Sequence, residues 1–124
     1  MLEAAKNGLK VARPMMTERY DLIVDSGGAL HKVQVKSTGT IKTHRAKYEV
    51  TLKASGKKYT KEEIDIFAVY IKPTNTWYII PISFCEGRNS ISFNLHGHSK
   101  VYSEFKEAWH IFFNSAKTLS KFSG

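Results

Sequence analysis

Residues 20–37 read YDLIVDSGGALHKVQVKS. Two β-rich runs flank a Ser-Gly-Gly step, the pattern of antiparallel strands joined by a tight turn. Side chains alternate faces along a strand. In the first run Tyr20, Leu22 and Val24 share one face, and Asp21, Ile23 and Asp25 share the other. In the second, Val33 and Val35 take the core face, while Gln34 and Lys36 lie together on the opposite one. Folding back about Gly27 and Gly28 sets position 21 beside position 34. The hairpin therefore gathers an Asp, a Gln and a Lys into one patch. Phosphodiester hydrolysis uses such side chains. A carboxylate binds a hard divalent cation, and a side-chain amide oxygen is a permissible neutral ligand. A nearby ammonium can orient the attacking water or stabilise charge in the transition state. The same residues also suit the solvated face of an ordinary hairpin.

Working outward, residues 2–7 (LEAAKN) are good helix formers stopped by Gly8. LKVARP reads as a strand ended by Pro14, and MMTER as a polar connection. Beyond the hairpin, GTIKTHRAK is a basic loop and YEVTLKA a strand. SGKKYTKEEID is a polar stretch closing in a helical turn over 60–65. FAVYI and WYIIPI form a second hairpin across a PTNT turn, and a Gly-containing loop follows. Val101, Phe105, Ala108, Trp109 and Phe112 fall at spacings of three and four, which predicts a final helix over about 101–114 with a core-facing stripe. Asp65, at the start of an apolar strand, reads as a cap or turn residue, and Tyr59 as packing under the sheet. Helix, strands and helix give an α+β chain, an α/β/α sandwich on a mixed sheet. Its 124 residues suit one domain.

Nineteen Lys and Arg stand against eleven Asp and Glu, for a net charge of +8. That field draws polyanions, so nucleic acid, an anionic membrane or an acidic protein are the candidate partners. No basic amphipathic helix appears, which disfavours the membrane surface. The longest apolar run is too short to span a bilayer, and MLEAAKNGLKVA lacks the apolar region of a signal peptide. A cytoplasmic protein is expected. The lone cysteine, Cys85, reads as a small buried hydrophobe. His96 and His98 read as loop residues, since no paired cysteines accompany them.

Asp21, then twelve residues, then Gln34-Val35-Lys36 resembles the core of the PD-(D/E)XK nuclease superfamily, with Gln in place of the middle acid. YDLIVDSGGALHKVQVKST followed by YTKEEIDIFAVYIKPTNTWYIIPIS is similar to its group I intron-associated homing endonucleases, relatives of the archaeal Holliday-junction resolvases. The similar region runs over about residues 9–83. The resemblance implies a restriction-endonuclease-like fold and a Mg²⁺-dependent DNA endonuclease, with Mn²⁺ able to substitute. It implies Asp21 as metal ligand, Gln34 in the second acidic slot, the Val35 carbonyl as a further ligand and Lys36 as the catalytic lysine. Two cuts need two sites, so a homodimer or tetramer is expected. The family also carries a glutamate on a long first helix. Glu3 is the acid available in this short one, and Glu18 is a weaker replacement. The alternative is a nuclease fold kept for DNA or protein binding without activity.

Candidate DNA contacts surround this site in the sequence. Ser37 and Thr38 end the catalytic strand. Lys42, His44, Arg45 and Lys47 follow it, and Lys53, Lys57 and Lys58 surround the next turn.

Overall fold

A computed structural model describes residues 2–15, 18–39, 41–42, 47–94 and 102–113. Helix α1 spans Leu2–Lys6. Ten strands follow: β1 Lys10–Ala12, β2 Leu22–Asp25, β3 Leu30–Thr38, β4 Ile41–Lys42, β5 Lys47–Thr51, β6 Lys53–Ala54, β7 Lys57–Lys58, β8 Ile66–Ile71, β9 Thr76–Pro81 and β10 Ser90–Asn94. The main sheet has the order β1-β2-β3-β8-β9. Only β3 and β8 run parallel within it, so the sheet is mixed. A second sheet has the order β10-β5-β4, and β6-β7 is a separate two-stranded ribbon. The α+β class and the mixed sheet are as the sequence predicts.

Strand β3 lies at the centre of the main sheet and is covered on both sides. On one face, Leu22, Val24, Val33, Ile66 and Ile79 pack with Ala4 of α1, Trp109 and Phe112. On the other, Phe67, Val69, Ile71 and Ile80 pack against Tyr48, Val50, Ile91 and Phe93 of the second sheet. The layer over the Gln34 face is thus built of strands. Two strands read as loop, β4 and β10, belong to it. They were hidden because a two-residue strand carries no period and SISFN follows a turn-rich stretch.

The helix predicted over 101–114 is not formed in its described part. Residues 103–105 and 109–112 are separate 3-10 turns. Between them Lys106 bridges to Tyr78 of β9, and Glu107 has a φ of 49°. The cause is tertiary. The Glu107 N–H donates to the Trp77 carbonyl at 2.7 Å, and its carboxylate accepts the Trp77 N–H at 2.6 Å and the Trp109 indole N–H at 3.1 Å. Those bonds satisfy backbone groups at the β9 edge and outweigh the helical spacing. The apolar stripe still serves the core, with Phe105, Ala108, Trp109 and Phe112 buried.

Phe112 is fully buried, and its carbonyl lies 2.9 Å from His31 Nε2. Phe112→Ala is expected to cost about 3–5 kcal/mol, the range for truncating a buried aromatic. Urea unfolding of the two chains measures it.

Burial pushes the Cys85 thiol from 9.0 up to about 11, and burial also raises Tyr59, Tyr78 and Tyr102 above 10.0. These groups keep their protons in the folded chain at pH values where the unfolded chain releases them. Stability from them is complete below pH 9 and falls as the pH rises through 9.0 and then 10.0. Lys36 opposes this, since burial lowers it, but it is one group against four. A melting temperature that declines steadily above pH 9 is the expected result. The same thiol is expected to resist iodoacetamide at pH 8 in the native protein and to react on unfolding.

Candidate active site

The hairpin places its polar residues through its register. Strands β2 and β3 pair with Leu22 opposite Val33 and Asp25 opposite Leu30. The Asp21 N–H donates to the Val33 carbonyl at 2.9 Å, extending the ladder to the 21–34 position. The four-residue connection is tied by the Ser26 N–H to the Ala29 carbonyl and by the Gly27 N–H to Asp25 Oδ1 at 2.7 Å. Gly27 has a φ of 92°, a conformation that disfavours any side chain.

At that position Gln34 Nε2 donates to Asp21 Oδ2 at 2.9 Å, and the Val35 N–H donates to the same oxygen at 3.1 Å. A carboxylate only accepts, so it is the amide nitrogen that faces Asp21 and Oε1 that is left for another partner. Asp21 is exposed, whereas Gln34 is 8% exposed. Lys36 follows on the same face, half-buried. Its ammonium donates to the Lys53 carbonyl at 3.4 Å and lies 5.4 Å from the centre of the Tyr59 ring. Burial is the chief influence lowering the Lys36 pKa. The Asp21 carboxylate raises it and Arg19 lowers it further. Asp21, Gln34 and Lys36 therefore form one cluster at the rim of the core between the two sheets.

Other expected residues lie elsewhere. The Glu3 carboxylate pairs with Lys6 within α1 at 3.3 Å. Glu18 is exposed in the segment before β2. Among the described residues no three His, Cys, Asp or Glu side chains gather into a set that could hold a metal ion. Thr38 shares the alternation of Lys36 and is buried, while Ser37 is exposed on the opposite face. Lys47, Lys57 and Lys58 are exposed, and Lys53 is half-buried. His44, Arg45 and the side chain of Lys42 lie outside the described residues, as do His96 and His98. Asp65, expected as a local cap or turn residue, instead pairs with β3 across 33 residues, its carboxylate accepting the Lys32 N–H at 2.7 Å and its own N–H donating to the Lys32 carbonyl at 2.8 Å.

Sequence reasoning missed Arg19. Its guanidinium stacks 4.2 Å from the centre of the Tyr59 ring and pairs with Glu63 at 3.0 Å. The Nε–H is not aimed along that pair and finds no hydrogen-bond acceptor, so the contact is ionic in character. The terminal nitrogens donate to the carbonyls of Ala54, Lys57 and Lys58 at 3.1–3.2 Å. These acceptors lie 35–39 residues further along, and no local pattern links them to Arg19.

The sequence matches the profile of PD-(D/E)XK endonucleases over residues 1–110. No curated protein matches it. Among solved structures, that of a bacterial homing endonuclease is 25% identical, with a TM-score of 0.72. The alignment covers 98% of this chain and 88% of that one.

Proposed function

The chain belongs to the PD-(D/E)XK endonuclease family, and on that premise we propose that it is a metal-dependent endonuclease of the homing type, hydrolysing phosphodiester bonds in duplex DNA. The observation that carries the reading is the Asp21–Gln34 pair, with Lys36 on the same face of the same strand.

The donor set fits a hard cation. Asp21 has its Oδ1 free of the two bonds that engage Oδ2, Gln34 has Oε1 left over, and the Val35 carbonyl beside them accepts the Gln34 amide N–H at 3.4 Å. One carboxylate with neutral oxygens suits Mg²⁺, which keeps several waters and takes substrate phosphate oxygens, and Mn²⁺ can substitute. Bound there, the cation would supply positive charge to the phosphate under attack. Glu3 would join the set from α1 only by leaving its pair with Lys6. Asp21 orients the Gln34 amide and is itself fixed by the Val35 N–H. The Lys36 ammonium, held at the rim, positions the attacking water and offsets charge as the bond to the leaving oxygen breaks. Products would carry a 5′-phosphate and a 3′-hydroxyl. Exposed Lys57 and Lys58 contact the phosphate backbone, with Lys42, His44, Arg45, Lys47 and the Ser37–Thr38 end of β3 as further contacts. Cutting both strands calls for two sites, supplied by a homodimer or tetramer acting in the cytoplasm.

The test is cleavage of supercoiled plasmid, a long linear DNA and a four-way junction with Mg²⁺, Mn²⁺ or EDTA. Metal-dependent cutting at one site of linear DNA is expected. Preferential junction cutting would point to a resolvase. DNA binding without cutting under any metal would leave a binding module on a nuclease fold.

A further inference from the structure

We propose that Arg19 is a positioning residue for cleavage: it ties the β6-β7 ribbon over the Tyr59 ring, so that the Lys53 carbonyl holds the Lys36 ammonium in place. The inference rests on the nuclease reading above.

The ribbon is two residues per strand, joined by Ser55 and Gly56, both at positive φ. A two-stranded unit this short is not stable alone. Arg19 supplies its anchor. One planar guanidinium accepts nothing and donates in a fixed fork, so it can serve the carbonyls of Ala54, Lys57 and Lys58 together. Glu63 fixes the guanidinium from the other side, and the Glu63 carboxylate also accepts the Thr60 N–H at 3.0 Å. The anchored ribbon presents the Lys53 carbonyl to Lys36, and Tyr59 contributes a π face to both cations. The anchor thus reaches Lys36 through the ribbon and the ring, without touching substrate itself.

The experiment compares full-length wild type with Arg19→Lys and Glu63→Gln. Single-turnover cleavage of saturating plasmid is read with Mg²⁺, plasmid affinity is read in EDTA, and the Lys36 ¹³Cε signal is followed by NMR without DNA. A lysine has the charge but not the fork. Arg19→Lys is expected to lose up to about 10²-fold in cleavage rate, the scale for a displaced catalytic group. Affinity should change little, and the Lys36 signal should move towards that of a mobile lysine. Glu63→Gln should show a smaller loss in the same direction. An unchanged rate at saturation, a loss confined to affinity, or an unmoved Lys36 signal in folded Arg19→Lys would overturn the proposal. A wild type that never cuts would instead refute the nuclease reading. The Lys36 signal would then still decide whether Arg19 orients that ammonium.

Discussion

Asp21→Asn is expected to remove cleavage by at least about 10²–10³-fold, the scale for deleting one preorganised polar contact to a transition state. The substitution is nearly isosteric. Its carbonyl oxygen can still accept the Val35 N–H or the Gln34 amide, so the β2–β3 ladder should persist. What is lost is the single carboxylate of the cluster, and with it the charge that would hold a divalent cation. Plasmid affinity in EDTA should survive, because exposed lysines supply the phosphate contacts. The check is cleavage and gel-shift titration of the two chains side by side. Equal loss of binding would mean that Asp21 organises the surface and not the chemistry.

The second large effect is expected at Lys36. Lys36→Met keeps the apolar stem against Tyr59 and deletes the ammonium. Cleavage should fall by about 10²–10³-fold, again the scale of one lost transition-state contact. Stability should move the other way or not at all. Burial already disfavours the charged form of Lys36, so the methionine is relieved of that desolvation. A variant that melts no lower than wild type yet no longer cuts separates catalysis from folding. A variant that keeps cutting would leave Lys36 a structural cation.

The central hairpin was legible because two local signals agreed. Alternation fixed which residues share a face, and the glycine turn set the 21–34 register that the Asp21–Gln34 bond occupies. The second hairpin was legible from two apolar runs flanking a Pro-Thr-Asn-Thr turn, with Asn75 in the left-handed region there. The C-terminal segment was not. Spacing of three and four is satisfied by 3-10 turns whenever tertiary bonds claim the backbone between them, as Trp77 does at Glu107. The burial of Gln34 was also out of reach, since it depends on β5 and β10 covering a face that alternation alone leaves open. Arg19 depended on partners across several turns of chain, and only three-dimensional proximity reveals them.

An amide at position 34 has a consequence for when the protein can exist. A second carboxylate at 8% exposure would be a buried charge beside the like charge of exposed Asp21, and a cation would be the partner that offsets it. Gln34 carries no charge and hydrogen-bonds Asp21 directly. The fold therefore needs no cation there to offset a second charge. On the metal-dependent reading proposed above, ion supply would govern when it acts, not whether it folds.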